Sequence, residues 1–200
     1  MKYSLLALLL LIIAAIIGSF IFKSPVTDQP GKTVVNQPEK AKESIESSDT
    51  EAKTPVCRLK LSGKWSQQSE SDPSRWAFAR DNGKERVTIS AMTFNKQPDL
   101  EKRTALLDRL VEIRRKAEAE GAPNPITLES VGKGINGDVC AAKFLGHEKA
   151  IDRRFACLMM ATPTTIITVY FETLKTPESE FLQNAKAALN SVELQMSKKD

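Results

Sequence analysis

Arg75 to Ile89 reads RWAFARDNGKERVTI, two alternating segments joined through Asp81-Asn82-Gly83. Asn-Gly between alternating apolar residues predicts a two-residue hairpin turn, because both central positions of a type I′ turn need positive φ. A turn centred there pairs Phe78 with Val87 and Trp76 with Ile89, and all four side chains fall on one face. An antiparallel pair with one apolar face is stable only under a covering layer, and the flanking sequence has to supply it.

Upstream, Cys57, Leu59 and Leu61 alternate with Arg58 and Lys60, which predicts a short strand ending at Gly63 and leading to Trp65. Downstream, Pro98 and Asp99 open a long amphipathic helix. Leu106, Leu110, Ile113 and Ala117 recur at helical spacing as its expected core stripe, widened by Leu107 and Val111, and Gly121, Pro123 and Pro125 end it. Its other side carries Lys102, Arg103, Arg109, Arg114, Arg115 and Lys116 among Glu101, Asp108, Glu112 and Glu118. Such a face is either solvated and salt-bridged, or a docking face for an acidic partner or anionic lipid head groups, with Arg103, Arg109, Arg114, Arg115 and Lys116 as its cations.

The second half predicts a strand from about Ile126 to Lys133, a turn at Asn136-Gly137, and a strand through Val139, Ala141 and Leu145 toward His147. Arg154 to Ala161 and Ile166 to Phe171 follow as two more strands, separated by Thr162-Pro163-Thr164. Thr176 and Pro177 read as N-cap and first residue of a closing helix, with Glu178 and Glu180 near its positive end and Phe181, Ala185, Ala188, Leu189 and Val192 as its buried stripe. The expected fold is α+β, an antiparallel sheet covered by helices.

This order, the Gly63-Lys64-Trp65 step after the first strand and the closing Ala188-Leu189-Asn190-Ser191-Val192-Glu193-Leu194 after Phe181 resemble the PsbP-like (DcrB-like) α+β superfamily over about Leu59 to Leu194. The resemblance implies a PsbP-like sandwich and a binding module. It carries no catalytic residues.

Tyr3 to Phe22 is an unbroken apolar run between Lys2 and Lys23. At about 1.5 Å of rise per residue it matches one crossing of a hydrocarbon core about 30 Å thick. The small-x-small sites near its end are poor and the run continues past them, so an uncleaved anchor is favoured over a cleaved signal peptide. Ser24 to Val56 holds four Lys and six acidic residues, with few aliphatics and no aromatic residue. Composition of this kind buries too little apolar area to order a chain. The predicted organisation is therefore an anchor or signal over 1–23, a disordered linker over 24–56 and an α+β head over 57–200. A bacterial inner-membrane protein with its head in the periplasm is expected, or a secreted protein if the segment is cleaved.

From Cys57 onward the chain holds 23 basic and 19 acidic residues, a surplus too thin and too poor in interleaved aromatics for nucleic-acid binding. Three cysteines in an exported domain allow one disulfide. A turn centred between Glu148 and Lys149 would set Cys140 opposite Cys157, both on the face holding Phe144 and Phe155, while Cys57 could replace either partner and three reduced thiols remain the alternative. His147 is the sole histidine, and strand parity turns it away from Cys140. No CxxC pair, P-loop, GxSxG or HExxH spacing occurs, so no metal, cofactor or catalytic set is expected. The expected function is a membrane-tethered, exported, non-catalytic module that binds another exported or envelope protein, as an envelope accessory factor or a toxin-immunity protein. The alternative is a small-molecule or lipid-binding domain with a pocket lined by Trp76, Met92, Phe94 and Met159.

Overall fold

The computed structural model describes residues 49–121, 124–129 and 131–195. The expected span over 3–22 and the linker as far as residue 48 lie outside these residues. Among the described residues, eleven strands and two helices form an α+β fold with antiparallel sheets.

The hairpin forms as its sequence dictates. β4 (Arg75–Arg80) pairs with β5 (Glu85–Thr93), Trp76 opposite Ile89 and Phe78 opposite Val87. The turn is longer than expected, because the last pair is Arg80 with Glu85 and a 3-10 turn covers Asp81–Gly83. Asp81, Asn82 and Gly83 all take positive φ (50°, 56° and 83°), a conformation that Asn, Asp and Gly tolerate best.

The large sheet runs β3-β4-β5-β10-β9-β8-β6, with β3 (Ser66–Gln68) and β6 (Ile126–Leu128) at its ends, and β7 (Gly132–Asn136) also pairing with β8 (Val139–Glu148). β9 (Arg153–Ala161) and β10 (Thr165–Leu174) are its central strands, buried along nearly their whole length. A small sheet, β1-β2-β11, is formed by Thr50–Lys53, Cys57–Leu61 and Glu193–Leu194. β1 lies inside the stretch whose composition reads as linker. Its Ala52 is fully buried, so ordered structure begins before Cys57.

α1 (Leu100–Gly121) covers one face of the large sheet, and α2 (Glu178–Asn190) with the small sheet covers the other. Asp99 caps α1, its Oδ1 accepting a bond of 2.9 Å from the Lys102 amide. α2 buries Phe181, Ala185, Ala188 and Leu189, as its periodicity predicts. Pro177, not Thr176, stands at its N-cap and no side chain caps it, so the acidic first turn of Glu178 and Glu180 complements its dipole alone. On this side Phe171 meets Trp65 at 6.0 Å and Phe181 at 6.1 Å between ring centres. Burying one such ring contributes about 2 to 3 kcal/mol.

Candidate functional site

α1 reaches the sheet through a different stripe from the one its apolar spacing suggests. The residues turned inward are Arg103, Leu107 and Val111, buried to 4, 2 and 1 % exposure, followed one and two turns later by Arg114 and Glu118. The stripe is apolar in its middle and charged at both ends. Arg103 ties the N-terminal end down, donating to the Pro98 carbonyl at 2.6 Å and to the Asp138 carbonyl in the β7–β8 turn at 2.9 Å. Leu106 and Leu110 pack only at the margin of the core, and Ile113 is 54 % exposed.

At the C-terminal end, Arg153 gathers three carboxylates from distant parts of the chain. Its Nε lies 3.0 Å from Glu148, its Nη2 3.2 Å from Glu118 and its Nη1 3.5 Å from Glu172, with the Tyr170 hydroxyl at 3.4 Å. The guanidinium sits 5.2 Å above the Phe155 ring, and Arg114 stacks at 4.6 Å on Tyr170 while bonding Glu118 at 2.8 Å. Asn124 donates to the remaining Glu148 oxygen at 3.1 Å. A cleft of about 360 Å3 opens over the cluster, lined by Arg114, Ala117, Glu118, Gly121, Glu148, Ile151 and Arg153.

The electrostatics are those of a clamp. Burial opposes the charge on Arg153, but Tyr170, Glu118 and Glu148 outweigh it and its pKa is raised. Burial, with Glu118 second, pushes the Tyr170 hydroxyl well above the ordinary tyrosine value, so it stays a neutral donor and acceptor. Each of the three glutamates already bonds an arginine. The cluster pins the end of α1 to β8, β9 and β10.

The Cys157 thiol and the Tyr170 hydroxyl near the cluster are both held protonated by burial. Burial pushes the Cys157 thiol up to about 12, and His147 lies on the opposite face of β8, 3.1 Å from Asp152. Among the described residues, no group of three His, Cys, Asp or Glu is arranged to hold a metal ion.

Most of the cations expected to form a docking face are engaged within the chain. Arg103 is buried, Arg114 is stacked, Arg115 bonds Glu112 at 3.2 Å and Lys116 bonds Glu120 at 3.6 Å. Arg109 is exposed, and no ion pair holds it among the described residues. Arg103 and Arg114 face the sheet, while the pairs of Arg115 and Lys116 lie within α1 itself. The expected pocket does not assemble either: Trp76 packs with the α2-side core, Met159 and Phe94 with the α1-side core, and Met92 is 48 % exposed. The sheet separates Trp76 from the other three.

The cysteines also depart from expectation. Cys57, Cys140 and Cys157 are free and buried. Cys140 and Cys157 do face the Phe144 and Phe155 side, but Cys140 pairs with Ala161 and Cys157 with Phe144. The β8–β9 turn is centred two residues later than expected, which displaces the pairing by four residues, or about 13 Å along the strand. No disulfide spans that distance.

The Arg153 cluster is absent from the sequence reading above, although a signal for it is present. Continuing the alternation Cys140, Ala142, Phe144 puts Glu148 on the same apolar face, and a carboxylate on a core face demands a cation, which Arg153 provides across the turn.

No family model matches the chain, and no curated protein matches it. Among solved structures, the chain is similar to PsbP of the cyanobacterium Synechocystis at 9% identity and a TM-score of 0.57, over 78% of this chain and 98% of that one. The Ran-binding protein Mog1p of Saccharomyces cerevisiae aligns at 9% identity and a TM-score of 0.47, over 75% and 97%. A protein of Bacteroides thetaiotaomicron aligns at 12% identity and a TM-score of 0.46, over 72% of this chain, which spans only 46% of the Bacteroides one. Identities this low speak for the backbone alone, and the backbone, matched to Synechocystis PsbP over nearly all of that protein, has the PsbP-like fold.

Proposed function

We propose that this chain is a membrane-tethered, exported, non-catalytic module whose head binds another envelope protein. The observation that carries this reading is the helix stripe that the fold covers only in part. Leu106, Leu110 and Ile113 recur as a core stripe would, yet they stand at the rim of the α1-side core with Ile113 largely in solvent. An exposed Ile113 continuing a flank of half-buried Leu106 and Leu110 is apolar surface of the kind a protein interface uses. The apolar run over residues 3–22 and the polar stretch after it support the anchor and tether, and among the described residues no helix is long and apolar enough to cross a membrane.

A clamp of satisfied ion pairs supports the binding reading over catalysis. The small-molecule alternative has less support, because its four expected lining residues point to different sides of the sheet.

The test is affinity capture with the full-length chain, extracted in mild detergent from membranes of the native cell. One dominant stoichiometric envelope or secreted protein is the expected result. Recovery of no protein above background, with a small molecule found instead by native mass spectrometry, would replace this reading with the ligand-binding one.

A further inference from the structure

We infer that the free edge of β7 takes up an extended apolar segment of the partner protein as an added strand of the large sheet. The inference rests on the binding-module reading above and adds the edge that is used and the form of the segment it takes.

The edge follows from the hairpin. Asn136 and Val139 close a two-residue turn in which Gly137 takes a φ of 56°. In such a hairpin the closing pair is hydrogen-bonded, and bonded and non-bonded pairs then alternate along the ladder. Asn136, Gly134 and Gly132 therefore bond to β8, while the amide and carbonyl groups of Lys133 and Ile135 point away from it. Among the described residues nothing bonds these outward groups, and no second strand or helix packs along β7. Alternate residues with free amide and carbonyl groups are what a further strand pairs with.

Edge strands are commonly guarded by charge, proline or a bulge. β7 has no proline, and its register runs unbroken from Gly132 to Asn136. Its one charge, Lys133, is drawn 2.8 Å from Asp108 on α1. At the other end of the sheet β3 is only three residues long, and the Gln68 side chain already donates to the Ser66 carbonyl at 3.1 Å.

The lining specifies the segment. Ile135 is 54 % exposed on the α1 side of the edge. Gly132 and Gly134 stand on the α2 side, so no β7 side chain there separates the edge from half-buried Ala141 and Lys143 of β8. A Cβ at 134 would meet nothing within 4 Å, and one at 132 only the Lys143 carbonyl at 3.9 Å. Edge glycines leave a hollow that a large side chain of the neighbouring strand fills. The added strand thus needs two consecutive large apolar residues, one beside Ile135 and the next over Gly134 on the other face. Burial and, second, the nearby Lys186 lower the Lys143 pKa, and neither lysine bonds a carboxylate among the described residues. Glu129, beside Leu145, is the acid that follows β6 on this side. Two cations and one anion favour a neutral or acidic segment over a basic one.

The other occupants fit less well. A second copy paired through the same strand, with Gly134 at the two-fold, sets glycine against glycine and leaves the hollow empty. The chain's own N-terminal stretch enters the described structure at β1, in the small sheet. A lipid surface has no peptide groups to pair with the edge.

The test joins photocrosslinking to affinity capture, both with the full-length chain in membranes of the native cell. p-Benzoylphenylalanine replaces Ile135 in one sample and Ile151, 43 % exposed in the β8–β9 turn, in another. The expected result is a protein adduct from 135 and none from 151, mapping to a neutral or acidic segment with two consecutive large apolar residues. Ile135→Pro removes an outward amide that the fold does not use, and Gly134→Lys fills the hollow with a charge; each is expected to lower capture of the partner several-fold. Urea unfolding checks that each variant is folded, and Gly134→Lys alone decides if Ile135→Pro is not. Undiminished capture by the folded variants overturns the proposal. So does an adduct from 135 only with lipid, with another copy, with the chain's own N-terminal stretch or with a basic segment, and so does no adduct from 135. Those results leave the binding-module reading standing if wild-type capture still yields one partner, whereas an empty wild-type capture ends both.

Discussion

Gly146 and Phe155 are cross-strand partners in the β8–β9 pair, and the Phe155 ring lies over Gly146 in the space a side chain there would fill. A Cβ at 146 would fall inside van der Waals contact of three ring carbons. The glycine is thus part of the packing of Phe155, which in turn meets Phe144 edge-on at 6.4 Å, stacks on Tyr170 at 5.3 Å and carries Arg153 above it.

Gly146→Ala is accordingly expected to destabilise the protein by about 2 kcal/mol, the usual cost of overpacking a closed core. Gly134→Ala, where nothing lies within 4 Å, is the matched control and should change stability by less than about 0.5 kcal/mol. Urea unfolding followed by tryptophan fluorescence measures both. Equal effects would mean that the ring moves aside freely.

Arg153→Met should cost about 3 kcal/mol near neutral pH, because it strands Glu148, 2 % exposed, beside a core. Adding Glu148→Gln removes the stranded charge and should recover part of the loss. A double-mutant cycle reads the coupling, and strictly additive effects would show that the two side chains do not depend on each other.

Alkali should weaken the fold. Burial raises the Cys157 pKa from 9.0 to about 12 and raises that of Tyr170 above its ordinary 10.0. For an acid that is neutral when folded, the unfolded chain loses its proton first, so stability is whole below pH 9 and falls as pH rises toward 12. The expected slope is up to about 1.4 kcal/mol per pH unit from each group while it titrates only in the unfolded state. Cys157→Ala should flatten the slope between pH 9 and 10, where the tyrosine contributes little. An unchanged slope there would place its origin in other groups.

All three cysteines should resist alkylation in the native protein and react once it is unfolded without reductant. Intact mass after labelling reads three added groups. A mass short by two groups would reveal a disulfide, which between Cys140 and Cys157 would require a β8–β9 register unlike the one described here.

Full-length protein should remain in the membrane pellet after an alkaline carbonate wash, given the apolar run over 3–22. Limited proteolysis of that preparation should leave a resistant fragment that includes Thr50, since β1 is paired to β2 through Thr50 and Leu61. Release as a shortened soluble form would indicate a cleaved signal peptide. A resistant fragment beginning beyond Lys53 would show that β1 adds nothing to the stability of the domain.

By itself the sequence determined what depends on neighbours along the chain. The pairing of Trp76 with Ile89 and Phe78 with Val87, and the stripe of Phe181, Ala185, Ala188 and Leu189, follow from strand and helix periods that repeat over a few residues next to a turn or a cap. The tertiary structure decided what depends on competition between distant surfaces. α1 offers two adjacent apolar stripes, and only the fit against β8 and β9 selected Leu107 and Val111 over Leu106, Leu110 and Ile113. The same holds for the four-residue displacement that separates Cys140 from Cys157, set by how Lys149 to Asp152 turn, with Asp152 at a φ of 50°. It holds too for the meeting of Glu118, Glu148 and Glu172 on Arg153. A period shows which faces are apolar, but which face is buried follows from the free energy of the whole packing, to which residues far apart in the chain contribute together.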